Sequence, residues 1–131
     1  MKISQELIDE LITHSREDMP NECCGMVGGR DGEARTVYRA TNAEASPLRY
    51  SIDAREQFRL MRTIEEAGEE LVGIYHSHTK SPAYPSQTDV NLAGWPDAVY
   101  LIASLADPGM PEVRGFWIRD GGIEEAELDV G

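Results

Sequence analysis

Within fourteen residues, HSHTKSPAYPSQTD, the chain places His76, His78, Ser86 and Asp89. Two imidazoles and one carboxylate are a common catalytic zinc set, with a fourth position left for water. Zinc lowers the pKa of that water to about 7, so hydroxide is available near neutral pH. Hydrolysis also needs a base that takes the proton and returns it to the leaving amine. It needs a donor for the oxyanion of the tetrahedral intermediate as well. Glu22, far upstream in NECCG, fits the first role and Ser86 fits the second.

Each residue also has a plainer reading. Ser86 and Asp89 have the S-x-x-D spacing of a helix capping box, and Glu22 taken alone is an exposed loop acid. His14, on the first predicted helix, reads as an ordinary surface or core histidine. Cys23 and Cys24 read as small buried packing residues, of which strand alternation turns at most one towards any cleft. Being neighbours, they form no disulfide framework. Trp95, Phe116 and Trp117 read as core, and Tyr84 as a rim-packing aromatic.

The elements that must position these groups follow from periodicity. Ser4 is an N-cap, with Ile3 and Ile8 spaced as a hydrophobic staple. Leu7, Ile8, Leu11 and Ile12 then predict a helix to about residue 18. Cys24 to Gly28 reads as a short buried strand ended by the turn GGRDG, and Ala34 to Ala40 as a second strand. Residues 41–52 are irregular. Asp53 and Glu56 have capping-box spacing, Phe58, Met61 and Ile64 line one face of a second helix, and Gly68 closes it. LVGIYHSH is a central strand buried on both faces.

On that strand His76 and His78, two residues apart, leave the same face at its end. A loop, KSPAYP, leads to a short helix starting at Ser86 or Thr88 and ending near Gly94, which carries Asp89 back towards them. AVYLIAS and EVRGFWIR are further strands, and the acidic tail adds one more short one. The predicted class is α/β, with helices against a mixed sheet.

The pattern His-x-His, seven residues, Ser, two residues, Asp, with an upstream Glu, resembles the JAMM (MPN-plus) metalloprotease motif at every position. The resemblance spans almost the whole chain and implies one catalytic domain over residues 1–131. It implies a curved mixed sheet flanked by helices, similar to the cytidine-deaminase architecture. By the same resemblance His76, His78 and Asp89 hold one zinc ion, Glu22 is the general acid/base, and Ser86 stabilises the tetrahedral intermediate. Members cleave peptide or isopeptide bonds after the C-terminal Gly-Gly of ubiquitin-like proteins.

TNAE, Ser46–Pro47, YHSHT and AYPS…TDV resemble a bacterial branch that releases cysteine from a ubiquitin-like sulfur-carrier protein. Thr79, where many members have Pro, fits that branch. The chain has no room for the long insertions with which eukaryotic deubiquitinases grip ubiquitin chains. The implied partner is therefore a sulfur carrier with a Gly-Gly tail. Removal of a ubiquitin-like modifier from protein lysines is the alternative.

Composition narrows the setting. Twenty-four acidic and twelve basic residues give a formal charge of −12, which repels nucleic acid and anionic membranes. No apolar run approaches the ~20 residues of a membrane helix, and the N-terminal MKISQELIDE lacks the apolar stretch of a signal peptide. These features and the unpaired cysteines predict a cytoplasmic protein. No segment marks a subunit interface.

Two other classes use part of the same residue set. A non-catalytic scaffold of the same fold has no use for all five motif residues. A non-haem iron oxygenase shares the two histidines and a carboxylate, but oxygen chemistry does not need Glu22 and Ser86. Zinc deaminase signatures are missing.

Overall fold

The computed structural model describes residues 1–131. Strand β1 (Lys2–Ile3) leads into α1 (Gln5–Glu17). Ser4 caps α1 by accepting the Leu7 N–H at 3.2 Å, and Ile3 and Ile8 are both buried as the staple requires. β2 (Cys24–Arg30) and β3 (Glu33–Ala40) form an antiparallel hairpin. Its turn residues, Asp31 and Gly32, both have positive φ, the conformation that matches a two-residue turn to the strand twist. The turn expected after Gly28 does not end β2 there. The strand runs on to Arg30, because a bulge at Gly28–Gly29 absorbs the glycines within the ladder.

α2 (Ala54–Glu66) follows the irregular segment, then β4 (Glu70–His78), α3 (Gln87–Leu92), β5 (Val99–Ser104), β6 (Glu112–Arg119), β7 (Gly122–Ala126) and β8 (Asp129–Val130). The eight strands make one sheet in the order β7-β6-β5-β4-β2-β3-β1-β8. β4 lies between antiparallel β2 and parallel β5, so the sheet is mixed. From Val72 to His78 every residue of β4 is buried, as its unbroken apolar run requires.

The tail forms two strands rather than the one expected. β1 and β8 are too short for a periodic signal, yet they pair in parallel and extend the sheet beyond β3. No helix is long and apolar enough to cross a membrane.

Alternation sorts the core onto two faces. Leu11 and Ile8 of α1 pack with Cys23, Val27, Tyr75 and Leu101 on one. Ile74, Tyr100, Ile102 and Phe116 lie on the other, beneath Val90 and Ala93 at α3.

α2 departs from its expected pattern. Ile64 is buried, but Phe58 is 64% exposed. Steps of three residues drift around a helix, so Phe58 and Ile64 stand about 120° apart and do not share a face. Gly68, at φ +72°, closes the helix as expected. Asp53 caps α2, but the Glu56 carboxylate accepts the Thr41 N–H at 2.8 Å instead of closing the box.

Candidate active site

The site forms where β4 ends. Cys24 is paired with His76 across the β2–β4 ladder. The pairing continues past β2: Ser77 donates its N–H to the Cys23 carbonyl at 3.1 Å, and the Cys23 N–H donates to Ser77 Oγ at 2.8 Å. Continued by one more residue, this register sets Glu22 opposite His78. Because alternate residues share a face, Glu22, His76 and His78 all project to the same side.

Asn42 fixes the upstream end of this register. Its amide donates to the carbonyls of Glu22 and Arg49, each at 3.0 Å, and its side-chain oxygen accepts the N–H groups of Glu44 and Ser51. The Glu22 N–H in turn donates to the Ser46 carbonyl at 2.9 Å. The irregular segment 41–52 is therefore folded around one buried amide and bonded to the backbone of Glu22 on both sides.

His76, His78 and Asp89 converge as the spacing predicted. The two Nε2 atoms are 3.2 Å apart, and Asp89 Oδ2 lies 3.2 Å from the first and 3.0 Å from the second. All three residues are buried. Metal bonds of about 2.0–2.1 Å in a tetrahedron set neighbouring ligand atoms about 3.3 Å apart, close to these separations. His78 Nδ1 lies 2.8 Å from the Pro82 carbonyl. An oxygen there requires an N–H at Nδ1, which leaves the Nε2 lone pair for a metal. Three electron-rich atoms facing one point suit a cation, and the set fits zinc.

Ser86 and Asp89 form the capping box, and the same carboxylate faces the two histidines. The Ser86 N–H donates to Asp89 Oδ2 at 2.8 Å, and the Asp89 N–H donates to Ser86 Oγ at 3.1 Å. This capping box of α3 is complete, and it holds the carboxylate oxygen that faces both histidines.

Electrostatics follow from burial. Glu22 is 4% exposed and its Oε1 has no hydrogen-bond partner. Burial pushes its carboxyl up to about 7, with His78 opposing the shift and Asp89 adding to it. Burial also acts against the charged form of Asp89, but hydrogen bonds from the two histidines outweigh it and hold that carboxyl well below the usual range. Burial lowers His76. It acts the same way on His78, where bonding to Asp89 and Pro82 prevails and raises the imidazole.

Glu22, His78 and Ser86 open onto a groove of ≈ 560 Å³. Lys80 and Ser81 of the loop after β4 line it, and Pro47 and Leu48 of segment 41–52 form another part of its wall.

The plainer readings hold for His14, Cys23, Cys24, Tyr84 and the buried Phe116, whereas Trp95 and Trp117, expected in the core, are half-buried at the edges of the two clusters. His14 is buried, 2.7 Å from the Tyr75 hydroxyl through Nδ1 and 3.3 Å from Asp18 through Nε2. Cys23 and Cys24 are buried and free, and burial drives the Cys24 thiol up to about 12. Tyr84 packs edge-on against Phe116 at 5.4 Å between ring centres.

Sequence reasoning missed three supports. Tyr50 stacks on the His76 ring at 4.5 Å and 20°, Pro82 orients His78, and Asn42 anchors Glu22. Only Asn42 carries a local signal, since Asn often bonds backbone two residues on.

The chain is similar to known proteins over almost its whole length. Residues 4–119 match the family described as prokaryotic homologs of the JAB domain. The chain is similar to the CysO-cysteine peptidase of Mycobacterium tuberculosis, 43% identical over 130 residues, covering 98% of this chain and 89% of that one. It is also similar to a desampylase of Haloferax volcanii, 40% identical over 112 residues, covering 79% and 80%. The solution structure of a Desulfitobacterium hafniense protein superposes with a TM-score of 0.91 at 36% identity, covering 99% of this chain and 92% of that one. The matched span contains all five motif residues, so the chain belongs to the prokaryotic JAB family and is a JAMM-type metallopeptidase.

Proposed function

We propose that the protein hydrolyses the bond after the C-terminal Gly-Gly of a small ubiquitin-like sulfur carrier, with cysteine as the leaving group and one zinc ion held by His76, His78 and Asp89. The observation that carries the mechanism is Glu22, a buried and unpartnered carboxylate in register with His78 at the floor of an open groove. Zinc, when bound, supplies the Lewis acid that makes hydroxide available near neutral pH.

Glu22 takes the water's proton and returns it to the nitrogen of the leaving amine. Its raised pKa keeps both directions of transfer accessible near neutrality. Ser86 Oγ accepts the Asp89 N–H with a lone pair, so its own O–H stays free to donate to the oxyanion. Asp89 completes the ligand set with the two imidazoles, and its Oδ2 is itself fixed by the Ser86 N–H. A Gly-Gly tail has no side chains, which suits a groove bounded by Leu48 on one side and Lys80 on another.

The choice of cysteine rests on similarity to the CysO-cysteine peptidase over nearly the full chain. The similar desampylase keeps lysine-linked conjugates as the second reading. Mass spectrometry after incubation with a carrier–cysteine adduct and with a lysine-linked conjugate separates them. Free cysteine from the first with no cleavage of the second supports the proposal. Cleavage of the lysine-linked conjugate alone refutes it.

A further inference from the structure

The catalytic groove does not end at the metal ligands. A second groove of ≈ 370 Å³, lined by Arg16, Leu105, Ala106 and Pro108, shares Met19, Thr79 and Lys80 with the first. The charge along this continuous surface is the reverse of the molecule's. Acidic residues outnumber basic ones two to one in the chain. Yet the joined grooves carry Arg16 and Lys80 against a single carboxylate, Glu22.

Neither Arg16 nor Lys80 forms an ion pair. Of the twelve basic side chains only Arg39, Arg62 and Arg114 do, so what sets these two apart is their place in the grooves. Arg16 spends one donor on the Pro108 carbonyl at 3.1 Å, which ties α1 to the turn after β5. Its remaining donors are unspent. Lys80 sits two residues beyond His78, on the loop that the motif itself does not explain.

We propose that Lys80 forms a carboxylate subsite that selects a free α-amino acid as the leaving group, with Arg16 extending the positive surface into the adjoining groove. The inference rests on the peptidase reading above and names the feature that would set cysteine apart from a lysine conjugate. A Gly-Gly acyl half carries no charge beside the scissile bond. A free amino acid leaving group carries its carboxylate one carbon from the departing nitrogen. Glu22 must reach that nitrogen to protonate it, so the carboxylate lies in the same groove, where Lys80 is the cation nearest in sequence to the metal ligands and Arg16 continues the positive surface. A lysine-linked leaving group has only methylenes beside its nitrogen and gains nothing from either cation.

The test compares a carrier–cysteine adduct with its C-terminal carboxamide, which removes the negative charge and keeps the bond to be cleaved. Hydrogen bonds to charged groups are worth about 1.5–3 kcal/mol, or roughly 10–100-fold. The wild-type enzyme is expected to prefer the acid over the amide by that factor in kcat/KM, mainly through KM. Lys80→Ala is expected to bring the preference close to unity, Lys80→Arg to restore it, and Lys80→Glu to invert it. Lys80 is exposed, so these substitutions should cost little stability, and Arg16→Ala, in the adjoining groove, should reduce the preference by less than Lys80→Ala does.

Equal cleavage of acid and amide by the wild type overturns the subsite alone. So does a Lys80→Ala enzyme that loses both activities in parallel, which would place the cation on the carrier's surface. Cleavage of neither conjugate, alongside cleavage of a lysine-linked one, overturns the substrate reading and the subsite with it.

Discussion

Replacing Glu22 by glutamine is expected to abolish turnover and at the same time stabilise the metal-free protein above neutral pH. Glu22 is 4% exposed, with an unpartnered oxygen, and its carboxyl is raised from 4.5 to about 7. In the unfolded chain that carboxyl loses its proton near 4.5, whereas the folded protein holds it to about 7. Between those values unfolding releases a proton, so stability falls as pH rises. A difference of that size corresponds to about 3 kcal/mol when fully developed.

The neutral amide of the Glu22→Gln variant does not titrate and lacks this loss. The gap between variant and wild type should therefore widen by about 3 kcal/mol from about pH 4 to about pH 8, on the order of 10 °C in Tm for a chain of this size. Urea unfolding of the chelated proteins across that range measures it; groups remote from Glu22 cancel in the difference, while His78, which the Glu22 charge raises, adds a smaller change of its own. Turnover of the zinc-loaded variant should fall by about 10²–10⁴-fold. Stability curves that run parallel for the two proteins would refute the account of Glu22 as a carboxyl held uncharged by burial.

The remaining expectations concern the supports of the site. Ser86→Ala should cost about 1 kcal/mol through the lost cap and about 10²–10³ in kcat through the lost oxyanion donor. Ser86→Asp should keep the cap and still lose activity, and an active Ser86→Asp enzyme would remove Ser86 from the chemistry. Asn42→Ala should cost about 1–3 kcal/mol in urea melts, because it leaves buried groups of segment 41–52 unpaired. It should also lower kcat by displacing Glu22, so unchanged kinetics would show that the anchor is dispensable. Chelation should abolish cleavage and lower Tm, and added zinc should restore both. Chelator-resistant cleavage would exclude the metal mechanism.

Much of the site was legible because its logic is local. Strand geometry makes residues two apart share a face, so His76 and His78 had to point the same way. S-x-x-D spacing marks a helix start, and the helix carries Asp89 back to the histidines. The capping box and the ligand were competing readings of the same residues, and the structure shows Asp89 Oδ2 facing Ser86 N–H and both imidazoles together. The α2 stripe was misread because three-residue steps resemble a helical face over one turn and drift off it over two.

Other features depend on pairing between distant segments, which no local pattern encodes. β1 and β8 are two-residue strands that exist only because β3 offers a free edge to extend. Tyr50 meets His76, and Asn42 meets the Glu22 carbonyl, only once segment 41–52 has folded over the ends of β2 and β4. By itself the sequence determined the chemical types, the helix caps and the shared face of the two histidines. These follow from covalent spacing and backbone periodicity. The tertiary structure alone decided that Glu22 lies opposite His78, buried and unpaired, because that position is set by the β2–β4 register, and a one-residue slip would turn the carboxylate to the opposite face of the sheet.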